Sequence, residues 1–179
     1  MGDEHVDDPI RFFYFNNPQR GTPIPPPPNI LSHICSLESS LNNCSTNNQS
    51  TYSSSLQNSS HALFIAVSAT IPISYVLTKH AGGSCHILTV GTSPAFQRQK
   101  LARTLLLHAL NFAKTSKKCN TATLHVSKTN VAARALYTSL DFSTADTVTD
   151  YYPDHTTALQ LLLDPITPSK EIMSLTRLE

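Results

Sequence analysis

Apolar and polar positions alternate in short segments beyond residue 60, and the pattern predicts a sheet with two helices. Residues 96–114 and 129–139 repeat apolar residues at the three- and four-residue spacing typical of amphipathic helices. The predicted strands are residues 62–67, 71–78, 85–92, 121–127, 142–151 and 157–163. The second helix is expected to bury Ala132, Ala135, Leu136 and Leu140. This order predicts an α/β fold (α+β, mixed sheet), a central mixed β-sheet flanked by helices and containing a helical crossover.

The first sixty residues have a different pattern. Residues 10–15 predict a short strand and residues 29–41 a helix, separated by a proline-rich stretch. Residues 39–60 are almost entirely Ser, Asn, Gln and Thr, with too few apolar residues to order without help from another surface. The proline-rich stretch is interpreted as a solvated connector rather than a ligand for a partner domain. The predicted organisation is a poorly defined N-terminal segment (1–60), one domain (61–164) and a C-terminal tail (165–179).

The charge distribution narrows the classes of function. The 179 residues fit one domain and carry a net charge of +1, which favours neither nucleic acid nor an acidic partner. Residues 39–140 contain no Asp or Glu, whereas nine of the thirteen Lys and Arg lie there. A nucleic-acid binder would need a dense basic run or interleaved aromatic residues, which this interval lacks. Nucleic acid is therefore not an expected partner.

The sequence also bears on location and on the cysteines. No apolar stretch approaches the roughly 20 residues that span a bilayer, so we expect no membrane association and a cytoplasmic location, with the nucleus left open. Four cysteines stand far apart without CxxC spacing. They are interpreted as free thiols, and no metal site or disulfide framework is expected.

The segment from Gly91 to Arg103 runs from a predicted strand into the first turn of a helix. A helix N-terminus presents backbone N–H groups and a partial positive charge, and Arg98, Lys100 and Arg103 reinforce it. A pyrophosphate is the natural ligand for such a segment. The alternative is a basic helix start that simply faces solvent.

Two motifs in this part of the chain resemble those of the GNAT acetyltransferase superfamily. Gln97-x-x-Lys100-x-Ala102 is similar to the Q/R-x-x-G-x-G/A signature, with Lys100 where the first glycine normally stands. The second motif, N-x-x-A-x-x-L/F-Y-x-x-x-G-F, is matched by Asn130, Ala133, Leu136, Tyr137 and Phe142, with Asp141 in place of its glycine. The resemblance covers residues 62–163 and implies a GNAT-like acyl-CoA N-acyltransferase fold with acetyl-CoA as co-substrate.

Within that superfamily the chain most resembles protein N-terminal acetyltransferases of the NatE catalytic-subunit type. Three local features carry this resemblance: His125 between Leu124 and Val126, the Tyr151-Tyr152 pair, and the run from residue 86 to residue 90. It implies that the substrate is the α-amino group of a protein or peptide, and that an auxiliary ribosome-associated subunit could be a partner.

The resemblance also implies roles for individual residues. His125 would be the general base, with His86 able to share that role, and Tyr137 would protonate the leaving thiolate. Leu88, Tyr151 and Tyr152 would contact the substrate. The residues implied to bind the cofactor are Val90, Gly91, Gln97, Arg98, Gln99, Lys100, Leu101, Ala102, Arg103, Asn130, Ala133 and Tyr137.

The chemistry of the residues agrees with these roles. Acyl transfer to an amine needs a proton acceptor, a polarised carbonyl and a proton donor for the leaving thiolate. Because residues 39–140 contain no carboxylate, histidine and tyrosine are the proton-transfer groups of that interval. His125 alternates with Leu124 and Val126, so its side chain is predicted on the opposite face of the sheet.

Other functions remain open on sequence alone. The same fold could acetylate a lysine or a small amine. A different class of protein, a CoA-binding but inactive module, would explain Lys100 and also His86, which stands where the family has a tyrosine.

Overall fold

We describe the fold from a computed structural model, which describes residues 9–16, 28–41 and 49–167. Its strands are β1 (Arg11–Asn16), β2 (His61–Ser68), β3 (Ile71–Ala81), β4 (Ser84–Thr92), β5 (Thr121–Ser127), β6 (Ser143–Val148) and β7 (Ala158–Leu163). Its helices are α1 (Pro28–Leu41), α2 (Gln49–Gln57), α3 (Leu101–Thr115) and α4 (Val131–Thr138), and Pro94–Phe96 forms a short 3-10 turn.

The strands form one seven-stranded sheet in the order β1-β2-β3-β4-β5-β7-β6. Every neighbouring pair is antiparallel except β4 and β5, which are parallel and connected through α3. The fold class expected from the sequence, a mixed sheet flanked by helices with a helical crossover, is confirmed.

The two parallel strands separate halfway along their length. β4 pairs with β5 only over residues 84–87, and no strand of the described chain pairs with that edge of β4 beyond Ile87. A β-bulge lies at the same point, because Leu77 is opposite Thr89 whereas Thr78 is opposite Ile87, which leaves Leu88 as the extra residue. Bulges bend and twist a strand. The sheet therefore opens into a wedge whose walls are the second halves of β4 and β5.

Helices cover both faces of the sheet. The face covered by α3 buries the larger cluster, including Leu105 and Leu124, and the opposite face packs α1 and α2 in a second cluster. The polar composition of residues 39–60 predicts order only where another surface helps, and α2 meets this condition. Tyr52 and Leu56 lie one helical turn apart and are 1% and 6% exposed, so the sheet supplies the surface that their helix needs.

Several boundaries and buried positions differ from the sequence prediction. Helix α3 begins at Leu101 instead of residue 96. Lys100, just before it, has a left-handed backbone conformation, which a right-handed helix cannot include. In α4, Ala132 and Ala135 are exposed and Leu136 is half-buried. The helix turns its Tyr137 inward, since a large ring gains more from burial than a methyl group does. Strand β6 is shorter than the predicted 142–151.

Other expectations have mixed outcomes. Cys35, Cys85 and Cys119 are free thiols, as predicted, and Cys44 lies outside the described residues. The prolines at positions 18–27 and most of the predicted tail also lie outside them, and the domain boundaries at residues 60 and 164 remain a prediction. Within the described ranges, no helix is long and apolar enough to cross a bilayer.

Candidate active site

A cleft of about 460 Å³ occupies the wedge between β4 and β5. Its walls come from the end of α1, the second half of β4, the second half of β5, the start of α4 and the loop between β6 and β7. The residues that line it are Glu38, Leu41, Ile87, Leu88, Thr89, Val90, Leu124, His125, Val126, Ser127, Thr129, Asn130, Ala133, Tyr137, Tyr152, Asp154 and Thr156. The β4–β5 separation thus places side chains and strand backbone around one cavity.

His125 lies on β5 with its side chain toward the α1 and α2 face of the sheet. Its neighbours Leu124 and Val126 are buried in the opposite cluster, which confirms the predicted alternation. The imidazole stacks on the Tyr151 ring, with centroids 4.6 Å apart and an interplanar angle of 16°. Its Nδ1 atom is buried and has no hydrogen-bond partner among the described residues. The stack fixes the ring plane, and the residue itself lines the cleft.

His86 lies beside His125 on the neighbouring strand. The two rings are 5.6 Å apart, and His86 Nδ1 hydrogen-bonds with Thr123 Oγ1 at 2.8 Å. Burial lowers the pKa of His86, and the positive charge that His125 or Lys79 can carry lowers that pKa further. His86 is therefore neutral at pH 7. It supports His125 from the side and is not itself part of the cleft lining given above.

Tyr137 enters the cleft from α4. Asn130 caps this helix, accepting a hydrogen bond from the Ala133 backbone N–H at 3.0 Å, so the helix start is fixed beside the cleft. Burial, with a smaller contribution from the nearby Tyr152, raises the pKa of Tyr137 to about 12. The phenol keeps its proton at neutral pH and can donate it.

The second half of β4 offers the cleft its backbone. Leu88, pushed outward by the bulge, is 43% exposed, and Val90 follows it on the same wall. Gly91 has a packing role: a Cβ at this position would overlap the ring of Tyr75. Its carbonyl accepts a hydrogen bond from Ser74 Oγ at 2.8 Å. Because β5 no longer pairs with this stretch, backbone N–H and C=O groups here are available to a bound molecule.

The loop before α3 is the predicted anion site. Arg98 and Lys100 have φ angles of +65° and +60°, and Gln97, Arg98, Gln99 and Lys100 are all exposed. Leu101 is buried in the core, so only its backbone can contact a ligand. Glycine favours left-handed backbone, which explains why the family motif has glycine where this chain has Lys100. Asp141 likewise has a φ of +65°, a conformation that aspartate tolerates.

The predicted site residues fall into two groups. Those that line the cleft are Leu88, Val90, His125, Asn130, Ala133, Tyr137 and Tyr152. The other predicted residues, His86, Gly91, Tyr151 and residues 97–103, are not among the lining residues, and Ala102 and Arg103 are half-buried in the first turn of α3. Tyr151 reaches the site through its stack on His125. Across residues 9–16, 28–41 and 49–167, no three His, Cys, Asp or Glu side chains are grouped so as to hold a metal ion.

Sequence reasoning missed Glu38. The absence of acids from residues 39–140 made histidine and tyrosine the only proton-transfer groups of that interval, but α1 brings a carboxylate from just outside it into the cleft. Glu38 is 2% exposed. The signal was present in the sequence, because Leu31, Ile34 and Glu38 share one helical stripe and two of the three are apolar.

Comparisons with known proteins agree with this architecture. The sequence model of the acetyltransferase (GNAT) family matches residues 36–142, more than half of the chain. No curated protein sequence matches the chain. The fold is similar to the ribosomal-protein-S18-alanine N-acetyltransferase of Escherichia coli, with a TM-score of 0.68, 23% identity, and coverage of 89% of this chain and 97% of that one.

Two further solved structures match the fold of this chain to different degrees. The NatC complex bound to Gag peptide and CoA matches with a TM-score of 0.71 and 20% identity, covering 88% of this chain and 99% of the other. Nourseothricin acetyltransferase matches with a TM-score of 0.57 and 19% identity, covering 60% and 66%. These identities indicate a shared fold and leave the substrate open. The family match over more than half of the chain shows that the chain belongs to the GNAT family of acetyltransferases.

Proposed function

We propose that this protein transfers the acetyl group of acetyl-CoA to the α-amino group of a protein or peptide, as NatE-type enzymes do. One observation carries the proposal: His125 and Tyr137 line the same cleft as the β4 backbone that β5 leaves without a partner. A proton acceptor, a proton donor and hydrogen-bonding backbone are the three components that acyl transfer to an amine requires.

The residues around the cleft suit acetyl-CoA. The backbone of β4 from Leu88 to Val90 would hold the acetyl and pantetheine part, and the first turn of α3, with Arg98 and Lys100 beside it, would hold the pyrophosphate. Asn130 and Ala133 would line the thiol end. When bound, acetyl-CoA supplies the acetyl group as an activated thioester.

Lys100 provides a first prediction. Lys100→Gly should raise stability by about 1 kcal/mol, because glycine adopts the left-handed backbone without the clash that Cβ suffers. It should also weaken acetyl-CoA binding about two- to fivefold, since an exposed ammonium paired with phosphate contributes under about 1 kcal/mol. Urea unfolding and the thermal shift with acetyl-CoA measure the two effects.

The matched control is Lys118→Gly. Lys118 has a φ of +58° but follows the C-terminal end of α3, away from its N-terminus. The Lys118→Gly variant should gain about as much stability as Lys100→Gly and keep the wild-type affinity for acetyl-CoA. Equal loss of affinity in both variants would contradict a phosphate contact by Lys100.

His125 handles the proton of the amine. Its buried Nδ1 atom lacks a described partner, and the stack on Tyr151 holds the ring in one orientation. The His86 ring lies 5.6 Å from the His125 ring between centroids, and its lowered pKa makes it a weaker proton acceptor than an ordinary histidine, so the role of base is assigned first to His125. At the other end of the cleft, Tyr137 Oη keeps a proton available for a departing thiolate.

Tyr151 and Tyr152 support a peptide as the amine substrate. Tyr152 lines the cleft, and the Tyr151 ring meets it at 5.0 Å in an edge-on arrangement, so two aromatic rings narrow the opening. A narrow opening admits an extended chain end and excludes bulky or branched amines. By the same resemblance we propose a cytoplasmic enzyme with an auxiliary ribosome-associated subunit, and the NatC neighbour is itself a complex.

Release of CoA in the presence of candidate amines tests the proposal. Acetyl-CoA with a panel of free N-terminal peptides should give turnover, and the same peptides with blocked N-termini should give none. Turnover with spermidine or free lysine but not with peptides would favour a small-amine acetyltransferase. Binding of acetyl-CoA, measured by thermal shift, without turnover of any amine would identify an inactive CoA-binding module.

A further inference from the structure

We propose that Asp154 selects the peptide to be acetylated, favouring chains that carry an arginine or lysine side chain within a few residues of the reacting amine. This inference rests on the proposed function and narrows its substrate class. Asp154 lines the cleft from the loop between β6 and β7. Neither the proton transfers assigned to His125 and Tyr137 nor the proposed binding of acetyl-CoA uses it.

The described cleft wall carries acidic side chains but no lysine or arginine. Its two carboxylates belong to Glu38 and Asp154. Glu38 is 2% exposed and accepts hydrogen bonds from Tyr52 and Thr89, so it belongs to the packed interior of the protein. Asp154, in contrast, is exposed. It is therefore the carboxylate of this wall that a substrate side chain can approach from solvent.

A tight turn holds Asp154 at the edge of the cleft. The His155 backbone N–H donates to the Tyr152 carbonyl oxygen at 2.8 Å, and the Tyr152 N–H donates to the Thr156 carbonyl oxygen at 3.3 Å. Tyr152 and Thr156, on either side of Asp154, line the cleft as well. The carboxylate thus has a defined place between two lining residues.

The same loop contacts the proposed base. Tyr151, which immediately precedes Tyr152, stacks on His125 with ring centroids 4.6 Å apart. A peptide whose amine is at His125 extends from there toward solvent, and each extended residue adds about 3.3 Å. Side chains a few residues behind the amine are therefore the ones that can reach Asp154 at the edge.

The carboxylate is ionised and has acceptor sites left. Hydrogen bonds from the Thr156 side chain and backbone lower the pKa of Asp154, and the Thr156 N–H donates to Oδ1 at 3.0 Å. A carboxylate has about four acceptor sites. No ion pair within the described residues uses Asp154, and the neighbouring His155 contacts Asp150 at 3.7 Å instead. A guanidinium or ammonium group of the substrate is the complementary partner.

The exposure of Asp154 sets the size of the expected effect. An ion pair in contact with solvent changes an affinity by about two- to fivefold, and salt weakens it further. Repulsion of an acidic side chain is of similar size. The expected order of substrates is therefore basic, then neutral, then acidic.

The test measures kcat/KM for matched peptides with the full-length protein and acetyl-CoA. The peptides share one N-terminal residue and carry arginine, its neutral isostere citrulline, or glutamate at the second, third, fourth or fifth position. At the responsive position we expect arginine to exceed citrulline by about two- to fivefold, and citrulline to exceed glutamate by a similar factor. Both differences should shrink when NaCl is raised from about 50 mM to about 500 mM.

Two variants and a control assign the preference to one side chain. Asp154→Asn keeps an oxygen for the Thr156 N–H and removes the charge, so it should equalise arginine and citrulline peptides while retaining turnover. Asp154→Lys should make glutamate the preferred residue. Asp146 on β6 is also exposed and accepts the Thr147 N–H at 2.7 Å, but it does not line the cleft. Asp146→Asn should therefore keep the wild-type preference.

The outcomes are distinguishable. Equal kcat/KM for arginine and citrulline at every position in the wild-type protein overturns the inference, as does a preference for arginine that survives Asp154→Asn. Equal loss of turnover with all peptides in Asp154→Asn would make Asp154 a structural residue of its loop, which also overturns it. If the wild-type protein acetylates no peptide, the proposed function fails together with this inference, whereas turnover without a charge preference defeats this inference alone.

Discussion

Replacement of His125 by alanine is expected to lower kcat for peptide acetylation by about 100-fold or more, the usual contribution of a positioned proton acceptor. The variant loses the imidazole that stacks on Tyr151 and lines the cleft. Acetyl-CoA binding should be unchanged, because the β4 backbone and the start of α3 are untouched. Steady-state kinetics and the thermal shift with acetyl-CoA measure the two quantities on the same samples.

Two further variants sharpen this prediction. His125→Gln keeps hydrogen bonding but cannot accept a proton at neutral pH, so it should be nearly as inactive as the alanine variant. His33→Ala removes an exposed histidine from α1 and should retain full activity. Turnover that survives both substitutions of His125 would refute its role as base.

Acidification is expected to destabilise the protein through His80. This side chain is 7% exposed and donates from Nδ1 to the Ser60 carbonyl oxygen at 3.0 Å. The pKa of His80 is lowered to about 4, chiefly by burial; the Ser60 hydrogen bond opposes this shift, and the positive charges of Lys117 and His61 add to it. The folded state therefore holds His80 neutral over a pH range in which the unfolded chain binds a proton.

The sign and size of the effect follow from that difference. A lowered folded-state pKa contributes stability above the unfolded value near 6.5, and this stability is lost as the pH falls toward 4. At 1.36 kcal/mol per pKa unit, His80 alone should reduce the free energy of unfolding by about 3 kcal/mol between pH 7.5 and pH 4. Urea unfolding at several pH values measures the decline.

A pair of variants isolates this histidine. His80→Gln can still donate to Ser60 but does not titrate, so its stability should fall less steeply with acid. His33→Gln, on the exposed side of α1, should decline as the wild-type protein does. A slope unchanged by His80→Gln would contradict this account of acid sensitivity.

The strands and helices after residue 60 could be predicted because their apolar periodicity is set by one buried face. The 121–127 strand was predicted at the bounds it has in the structure, since its alternation is regular from end to end. Local spacing also placed His125 on the correct face. The second motif then identified Asn130, Ala133 and Tyr137, and all three line the cleft.

What depends on contacts between distant segments could not be predicted. Helix α2 is polar and forms because Tyr52 and Leu56 pack against the sheet. Its own sequence does not indicate which surface it packs on. Glu38 enters the cleft because α1 crosses the face that carries His125 and Thr89. The choice of Tyr137 over Ala132 and Ala135 as the inward residue depends on how α4 packs, which alanine-rich spacing leaves undetermined.

The position of the transferred acetyl group tests the central proposal most directly. A peptide with a free N-terminus and an internal lysine is incubated with the protein and acetyl-CoA, and tandem mass spectrometry locates the modification. We predict a single acetyl group on the α-amino nitrogen, lost in His125→Ala. Acetylation of the lysine side chain, or of neither amine while acetyl-CoA binds normally, would contradict the proposal.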